Sequence, residues 1–130
     1  MTEFRKTLIS LSQNDKLEQY IELANAIEQA NMPQQHDIFF SFFKLGNDFA
    51  SSLNDDQQWA LFLSQFELVL RSILNSSLPS SWRRSCYEAL NNPLLSLQRI
   101  AKNNDRKRQL TSCYIKFNKE VSTVFKLHPF

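Results

Sequence analysis

The side chains that most often carry chemistry in proteins are scarce in this sequence. Its only histidines are His36 and His128, and its only cysteines are Cys86 and Cys113. These four residues show none of the spacings of a zinc site. The chain has a single glycine, Gly46, which excludes the glycine-rich phosphate loops and the Gly-x-Ser-x-Gly nucleophile elbow.

One pair of carboxylates has a spacing that suits a metal site. Glu18 and Glu22 lie four residues apart in a predicted helix and therefore share one of its faces. No Glu-x-x-His motif accompanies them, so a solvated helix face is the better interpretation. We therefore predict no catalytic residues, no metal site, no cofactor and no small-molecule substrate. We expect a protein that is not an enzyme.

The one constellation that could recognise a ligand is basic. Residues 81–130 hold ten Lys or Arg against three Asp or Glu, whereas residues 1–80 hold five against ten, so the halves carry +7 and −5 and the chain +2. Such asymmetry indicates an anionic partner for the basic half. The alternative is that the two halves attract each other within one fold. The candidate contacts for an anionic partner or nucleic acid are Arg83, Arg84, Arg99, Lys102, Arg106, Lys107, Arg108 and Lys119.

Two short predicted helices in the basic half have the outline of a helix-turn-helix. They cover about 82–90 and 94–102, and the segment Asn91-Asn92-Pro93 between them predicts a break. Basic side chains would supply phosphate contacts, and Arg99 or Lys102 on the second helix would give a sequence preference. DNA-binding helix pairs often carry glycine at the turn, which this turn lacks.

Composition and periodicity predict an all-α fold. Sheets and tight hairpins consume glycine, and the chain has one glycine, four prolines and no alternating runs of Val, Ile and Thr. We predict a single all-α domain over 1–130, a helical bundle of five to seven helices. Its centre is predicted to be an antiparallel hairpin of helices at about 34–52 and 55–75.

The predicted helix over 55–75 is apolar on two sides. Asn54 is placed to cap it, with Gln57 at the capping-box spacing. Leu61 and Leu68 lie opposite the main apolar face, so this helix meets neighbours on both sides or a second subunit. In the preceding helix Gly46 lies within the apolar face, which predicts close approach of another helix backbone, that of the helix over 55–75. The candidate protein interface is Phe40, Leu61, Leu68 and Ile115.

Apolar spacing predicts the remaining helices as well. A helix over 2–12 and one over about 15–31 precede the hairpin. The short helix that starts near Ser80 is expected to present Trp82, Cys86, Tyr87 and Leu90. The last helix, about 105–127, is expected to bury Leu110, Cys113, Tyr114, Phe117, Val121, Val124 and Phe125, and to carry Arg108, Lys116, Lys119 and Lys126 on the opposite side.

Location and function follow from what these patterns favour. No run of 18 uncharged apolar residues occurs, so we expect no membrane span. The first fifteen residues lack the apolar stretch of a signal peptide, and two reduced buried thiols suit the cytoplasm. The expected function is a protein-binding module, such as an adaptor, regulator, immunity protein or inhibitor, that acts by occupying a partner's surface. Self-association is one form of that function, and the alternative is a nucleic-acid-binding regulator.

Overall fold

The computed structural model describes residues 15–30 and 37–127, and within these ranges every regular element is an α-helix. This confirms the predicted all-α bundle. The predicted helix over 2–12 lies outside the described residues. The helices are α1 (Asp15–Gln29), α2 (Asp37–Ala50), α3 (Asp55–Leu74), α4 (Ser80–Ala89), α5 (Asn91–Ile100) and α6 (Asn104–Leu127).

Helix α3 is the central element, because each of the other five described helices contacts it. Its start has the predicted capping box. The Asn54 side chain accepts a hydrogen bond from the Gln57 backbone N–H at 2.8 Å, and the Gln57 side chain accepts one from the Asn54 N–H at 3.1 Å. Asp55 and Asp56 place negative charge on the first turn, where the helix dipole favours it.

The second apolar side of α3 is covered within the same chain. Leu61 and Leu68 are buried among the neighbouring helices, which corrects the prediction that they form a surface for a partner or a second copy. Buried hydroxyls accompany them, since Ser64 and Ser72 donate hydrogen bonds to the carbonyl oxygens of Leu61 and Leu68. The physical reason is the central position of α3, which leaves it no solvent-facing apolar side.

The first three helices form one layer around a buried polar contact. The amide of Gln65 donates to the Tyr20 hydroxyl at 3.2 Å. Further along both helices, Arg71 lies 3.8 Å from Glu28. Because the two contacts follow each other in the same order in both helices, α1 and α3 run parallel. The Gln58 amide donates to the Ala50 carbonyl oxygen at 2.8 Å, at the turn that joins α2 to α3. Helices α2 and α3 therefore make the predicted antiparallel hairpin.

Gly46 lies where α1, α2 and α3 meet. It is buried, and a Cβ atom built on it would lie 3.4 Å from the Tyr20 ring and far inside the contact distance of the Gln65 amide nitrogen. The missing side chain is therefore what makes room for the hydrogen bond between Gln65 and Tyr20. The prediction that Gly46 lies at a helix–helix contact is confirmed. The predicted approach of another helix backbone is corrected, because the nearest atoms are side-chain atoms of Tyr20 and Gln65.

Helices α4 and α5 are joined by one residue, which corrects the predicted break at Asn91-Asn92-Pro93. Leu90 keeps a right-handed helical conformation, with φ −62° and ψ −24°. Pro93 sits in the first turn of α5, where a backbone N–H has no intrahelical partner to lose. The Ala89 carbonyl oxygen instead accepts a hydrogen bond from the Asn92 amide at 3.4 Å. The two predicted helices are therefore both present, and the break between them lies at Leu90.

Helix α6 lies along the outside of the bundle. Asn103 caps it by accepting a hydrogen bond from the Arg106 N–H at 2.8 Å, as the predicted break before 105 requires. Of its 24 residues only Leu110, Cys113 and Val121 are buried. The helix is about 36 Å long. Because so few of its side chains are buried, most of its surface faces solvent.

Candidate functional site

The acidic, histidine and cysteine side chains of the described residues form no metal site, and the two thiols are not activated. Between 15–30 and 37–127, no three His, Cys, Asp or Glu side chains come together in a way that could hold a metal ion. Burial raises the pKa of the Cys86 thiol to about 12, against a smaller opposing effect of its hydrogen bond with Ser72. Burial, reinforced by Glu67, also raises the pKa of Cys113. A nucleophilic cysteine requires the opposite shift.

Arg83, a predicted surface contact, belongs to the core. Its side chain is 2% exposed, and its Nε donates a hydrogen bond to the Ile73 carbonyl oxygen at 2.8 Å. The preceding residue acts in the same way, because the Trp82 indole N–H donates to the Ile27 carbonyl oxygen at 2.9 Å. The start of α4 thus satisfies carbonyl groups at the carboxyl ends of both α1 and α3. Arg83 is therefore removed from the candidate anion contacts.

Two further candidates are engaged within the monomer. The Arg106 guanidinium bonds Asp56 at 2.7 Å and lies 4.9 Å from the centre of the Trp59 ring. Arg108 forms an ion pair with Asp105, one turn earlier in α6. The Arg106–Asp56 pair joins the basic half to the acidic half, which is the contact expected if the halves attract each other. The predicted anion contacts that remain on the surface outside these pairs are Arg84, Arg99, Lys102, Lys107 and Lys119.

Phe40 and Ile115 are the predicted interface residues that remain on the surface. Phe40 is 71% exposed and lies on α2, while Ile115 is 61% exposed and lies on α6. They belong to different helices, and no surface described here joins them. Ile115 lies two turns before Ser122 on the same face of α6, and Ser122 lines a groove that contains other exposed apolar side chains.

That groove runs between α4 and the carboxyl-terminal half of α6. It has a volume of about 540 Å³ and is lined by Arg84, Tyr87, Glu88, Val121, Ser122 and Phe125. Its walls are aromatic, since Tyr87 is 44% exposed and Phe125 is 48% exposed. The Tyr87 ring packs against Phe117 with centroids 5.7 Å apart, which holds the wall in place. We call this feature the α4–α6 groove.

Spacing on each helix explains why these residues face the groove. Arg84, Tyr87 and Glu88 lie at i, i+3 and i+4, so they share the outer face of α4. Ser122 on α6 shares its face with Lys119 and Lys126, three residues before and four after, and with Ile115 two turns before. The rim on the α6 side therefore combines one apolar and two basic side chains, all exposed.

Phe125 was predicted as buried, and no groove was predicted beside Tyr87, so the groove is a feature that the sequence pattern missed. The apolar stripe of α6 includes Phe125 by spacing, but the bundle covers the stripe only as far as Val121. The sequence did contain a signal for this exposure. The apolar stripe of α6 is wider than the surface that one packing contact with the bundle can bury. Tyr114, also predicted as buried, is likewise exposed.

Comparison with known proteins adds no further constraint. No protein-family model matches the sequence, and neither does any curated protein or any solved structure. None of the described helices combines the length and the apolar character needed to cross a membrane. The chain is thus defined as a member of the all-α class, and its function has to be argued from its own side chains.

Proposed function

We propose that the chain is a non-enzymatic protein-binding module and that it binds its partner at the α4–α6 groove. The observation that carries this proposal is the pair of half-exposed aromatic side chains, Tyr87 and Phe125, on the walls of an open groove of about 540 Å³. Binding by surface occupation needs no catalytic group. The raised pKa values of Cys86 and Cys113 fit that requirement.

The energetic argument concerns apolar surface that folding leaves exposed. Complete burial of a large apolar side chain contributes about 1.5–3 kcal/mol, so a half-exposed Tyr87 or Phe125 retains roughly 1 kcal/mol each for a partner. Tyrosine and phenylalanine are enriched at protein interfaces. Grooves between helices are also common sites for an inserted side chain or peptide.

Nucleic-acid binding is the competing proposal, and the helix geometry gives it less support. A helix-turn-helix joins its helices by a turn of three or four residues, whereas α4 and α5 are joined by Leu90 alone, in helical conformation. Arg83 is buried, and Arg106 is held by Asp56. The exposed cations that remain are spread over α4, α5, α6 and the α5–α6 connection.

Self-association remains a form of the proposal only through Phe40 and Ile115. Leu61 and Leu68, the predicted seam, are inside the monomer. A cytoplasmic location is also part of the proposal. It is supported by Cys86 and Cys113, which are buried and not joined in a disulfide, since unpaired thiols persist in reducing compartments.

Quantitative affinity purification from the source cell tests this proposal. Wild type is compared with Phe125→Ala and Ser122→Glu in the groove, and with Leu95→Ala as an exposed apolar control outside it. Any partner enriched by wild type should be lost with both groove variants and kept with the control, while all four proteins keep the same helical circular dichroism. Loss with the control, or retention with the groove variants, contradicts the proposal.

A further inference from the structure

We propose that the occupant of the α4–α6 groove is an amphipathic helix that carries acidic residues beside its apolar anchors. This inference rests on the proposed protein-binding function and specifies the chemistry of the partner. It is carried by three properties of the surface, which are its length, its apolar lining and the charge of its rim.

The length of the surface matches a helical ligand. From Ile115 to Lys126 the exposed face of α6 extends for twelve residues, or about 16 Å at 1.5 Å per residue. This is three helical turns. The residues of α6 that line the groove itself, Val121, Ser122 and Phe125, cover one of these turns. A bound helix would therefore insert one anchor side chain between α4 and α6 and lie along the exposed face of α6.

The lining favours apolar anchors at the centre. Val121 is buried at the floor, and Tyr87 and Phe125 form the walls. Leucine or phenylalanine side chains of a partner would remove these surfaces from water, which is the main source of affinity in helix-in-groove complexes. An extended strand is a poorer fit, because no sheet edge occurs in the described residues to receive its backbone hydrogen bonds.

The rim supplies the charge complementarity. Exposed basic side chains at or beside the groove are Arg84 on α4 and Lys119 and Lys126 on α6, whereas the acidic one is Glu88 in the wall. Carboxylates on the polar side of a bound helix would meet this rim and would accelerate association through the attraction of opposite charges. A helix with basic flanks would be repelled by it.

Single-stranded nucleic acids also bind to surfaces that combine aromatic and basic side chains. The Glu88 carboxylate makes the groove better suited to a peptide helix. A nucleic acid carries one negative charge per nucleotide and would bring phosphates near the Glu88 carboxylate in the wall. A helix can direct its carboxylates toward Arg84 and Lys119 and place an uncharged residue opposite Glu88. The groove therefore favours the peptide.

Fluorescence anisotropy with the full chain and four labelled probes tests the inference. Three are peptides of about five helical turns: an amphipathic helix with leucine anchors and glutamate flanks, the same helix with lysine flanks, and a permuted acidic peptide without helical periodicity. The fourth probe is a single-stranded oligothymidylate. The acidic amphipathic peptide should bind in the range of about 10 µM, and the other three at least about tenfold more weakly.

Matched variants locate the binding. Lys119→Glu with Lys126→Glu, and separately Ser122→Glu, should weaken the acidic peptide about tenfold or more. Lys102→Glu with Lys107→Glu adds the same charge at exposed positions off the groove and should change its affinity by less than about threefold. Equal binding of the lysine-flanked peptide, tighter binding of the oligothymidylate, or insensitivity to the groove variants overturns the inference. If the acidic peptide fails while cellular capture still depends on the groove, the partner class is wrong and the proposed function stands.

Discussion

The guanidinium of Arg83 donates a hydrogen bond to the carbonyl oxygen of Ile73, two residues before the start of the loop that follows α3. The side chain is buried, and it places a positive charge at the carboxyl end of the central helix, where the helix dipole favours it. The next residue along the chain, Arg84, is exposed and lines the α4–α6 groove. Two adjacent arginines therefore have unrelated roles.

Arg83→Ala should destabilise the protein by about 2–4 kcal/mol, because it leaves the buried Ile73 carbonyl oxygen unsatisfied and opens a cavity. Arg84→Ala is the matched control and should change the free energy of unfolding by no more than about 0.5 kcal/mol. Urea denaturation followed by circular dichroism measures both. Equal effects of the two substitutions would contradict the assignment of Arg83 to the core.

Gly46→Leu should destabilise by about 1–3 kcal/mol through overpacking against Tyr20 and Gln65. Asn47→Leu, at the next and exposed position of α2, is the control for the effect of leucine itself. The same contact predicts coupling, because Gly46→Ala should cost less in a Gln65→Ala background, where the amide that it displaces is absent. Additive effects in the double variant would show that Gly46 does not meet Gln65.

Stability should fall as the pH rises above about 9, because the pKa of Cys86 is raised to about 12 in the folded protein. Between these values the folded state holds the thiol proton that the unfolded state releases, so the free energy of unfolding decreases with pH, by at most about 1.4 kcal/mol per pH unit from this group. Cys86→Ala should be less stable at pH 8 but should lose stability less steeply from pH 9 to 10.5. Urea midpoints from pH 9 to 10.5 give the pH dependence of stability for wild type and for Cys86→Ala. Equal slopes for the two proteins would show that burial does not raise the pKa of Cys86.

Random-sequence duplex DNA should not bind at low salt with protein in the range of about 50 µM, which lies within ordinary non-specific affinities. If the five exposed candidate cations acted together on phosphates, the slope of log K against log salt would be about −4.5. Lys102→Ala with Lys107→Ala would then flatten the slope by about two units. Measurement of that slope and its flattening would support the competing nucleic-acid proposal.

Local sequence signals predicted much of the fold. The capping box of Asn54 and Gln57 and the helix break before α6 depend on residues close together in the chain, and the structure has both. The predicted break between the two short helices is present, but it lies at Leu90 and not at Asn91-Asn92-Pro93, because proline in the first turn of a helix costs no hydrogen bond. The burial of Leu61 and Leu68 depends on how many helices surround α3. A helical wheel of α3 alone does not show this number.

The candidate site was harder to predict. Charge counting treated Arg83 and Arg84 alike, although Arg83 shares a helix face with Cys86 and Leu90, at i+3 and i+7. That spacing was available and indicated burial. Phe125 follows an apolar stripe and was assigned to the core, because a stripe shows which side faces inward and not how far the neighbouring helices extend. The groove exists only where α4 and α6 meet, more than 30 residues apart in the sequence.

Site-specific photo-crosslinking in the source cell tests the central claim, which is that the α4–α6 groove contacts a protein partner. A photoreactive amino acid is placed at Ser122, which lines the groove, and in a separate protein at Gln98, which is exposed on α5. The account predicts a discrete crosslinked protein species at Ser122, absent at Gln98 and lost when Phe125→Ala is added to the Ser122 probe. Crosslinks of equal yield at both positions, or a discrete species at Gln98 alone, would contradict it.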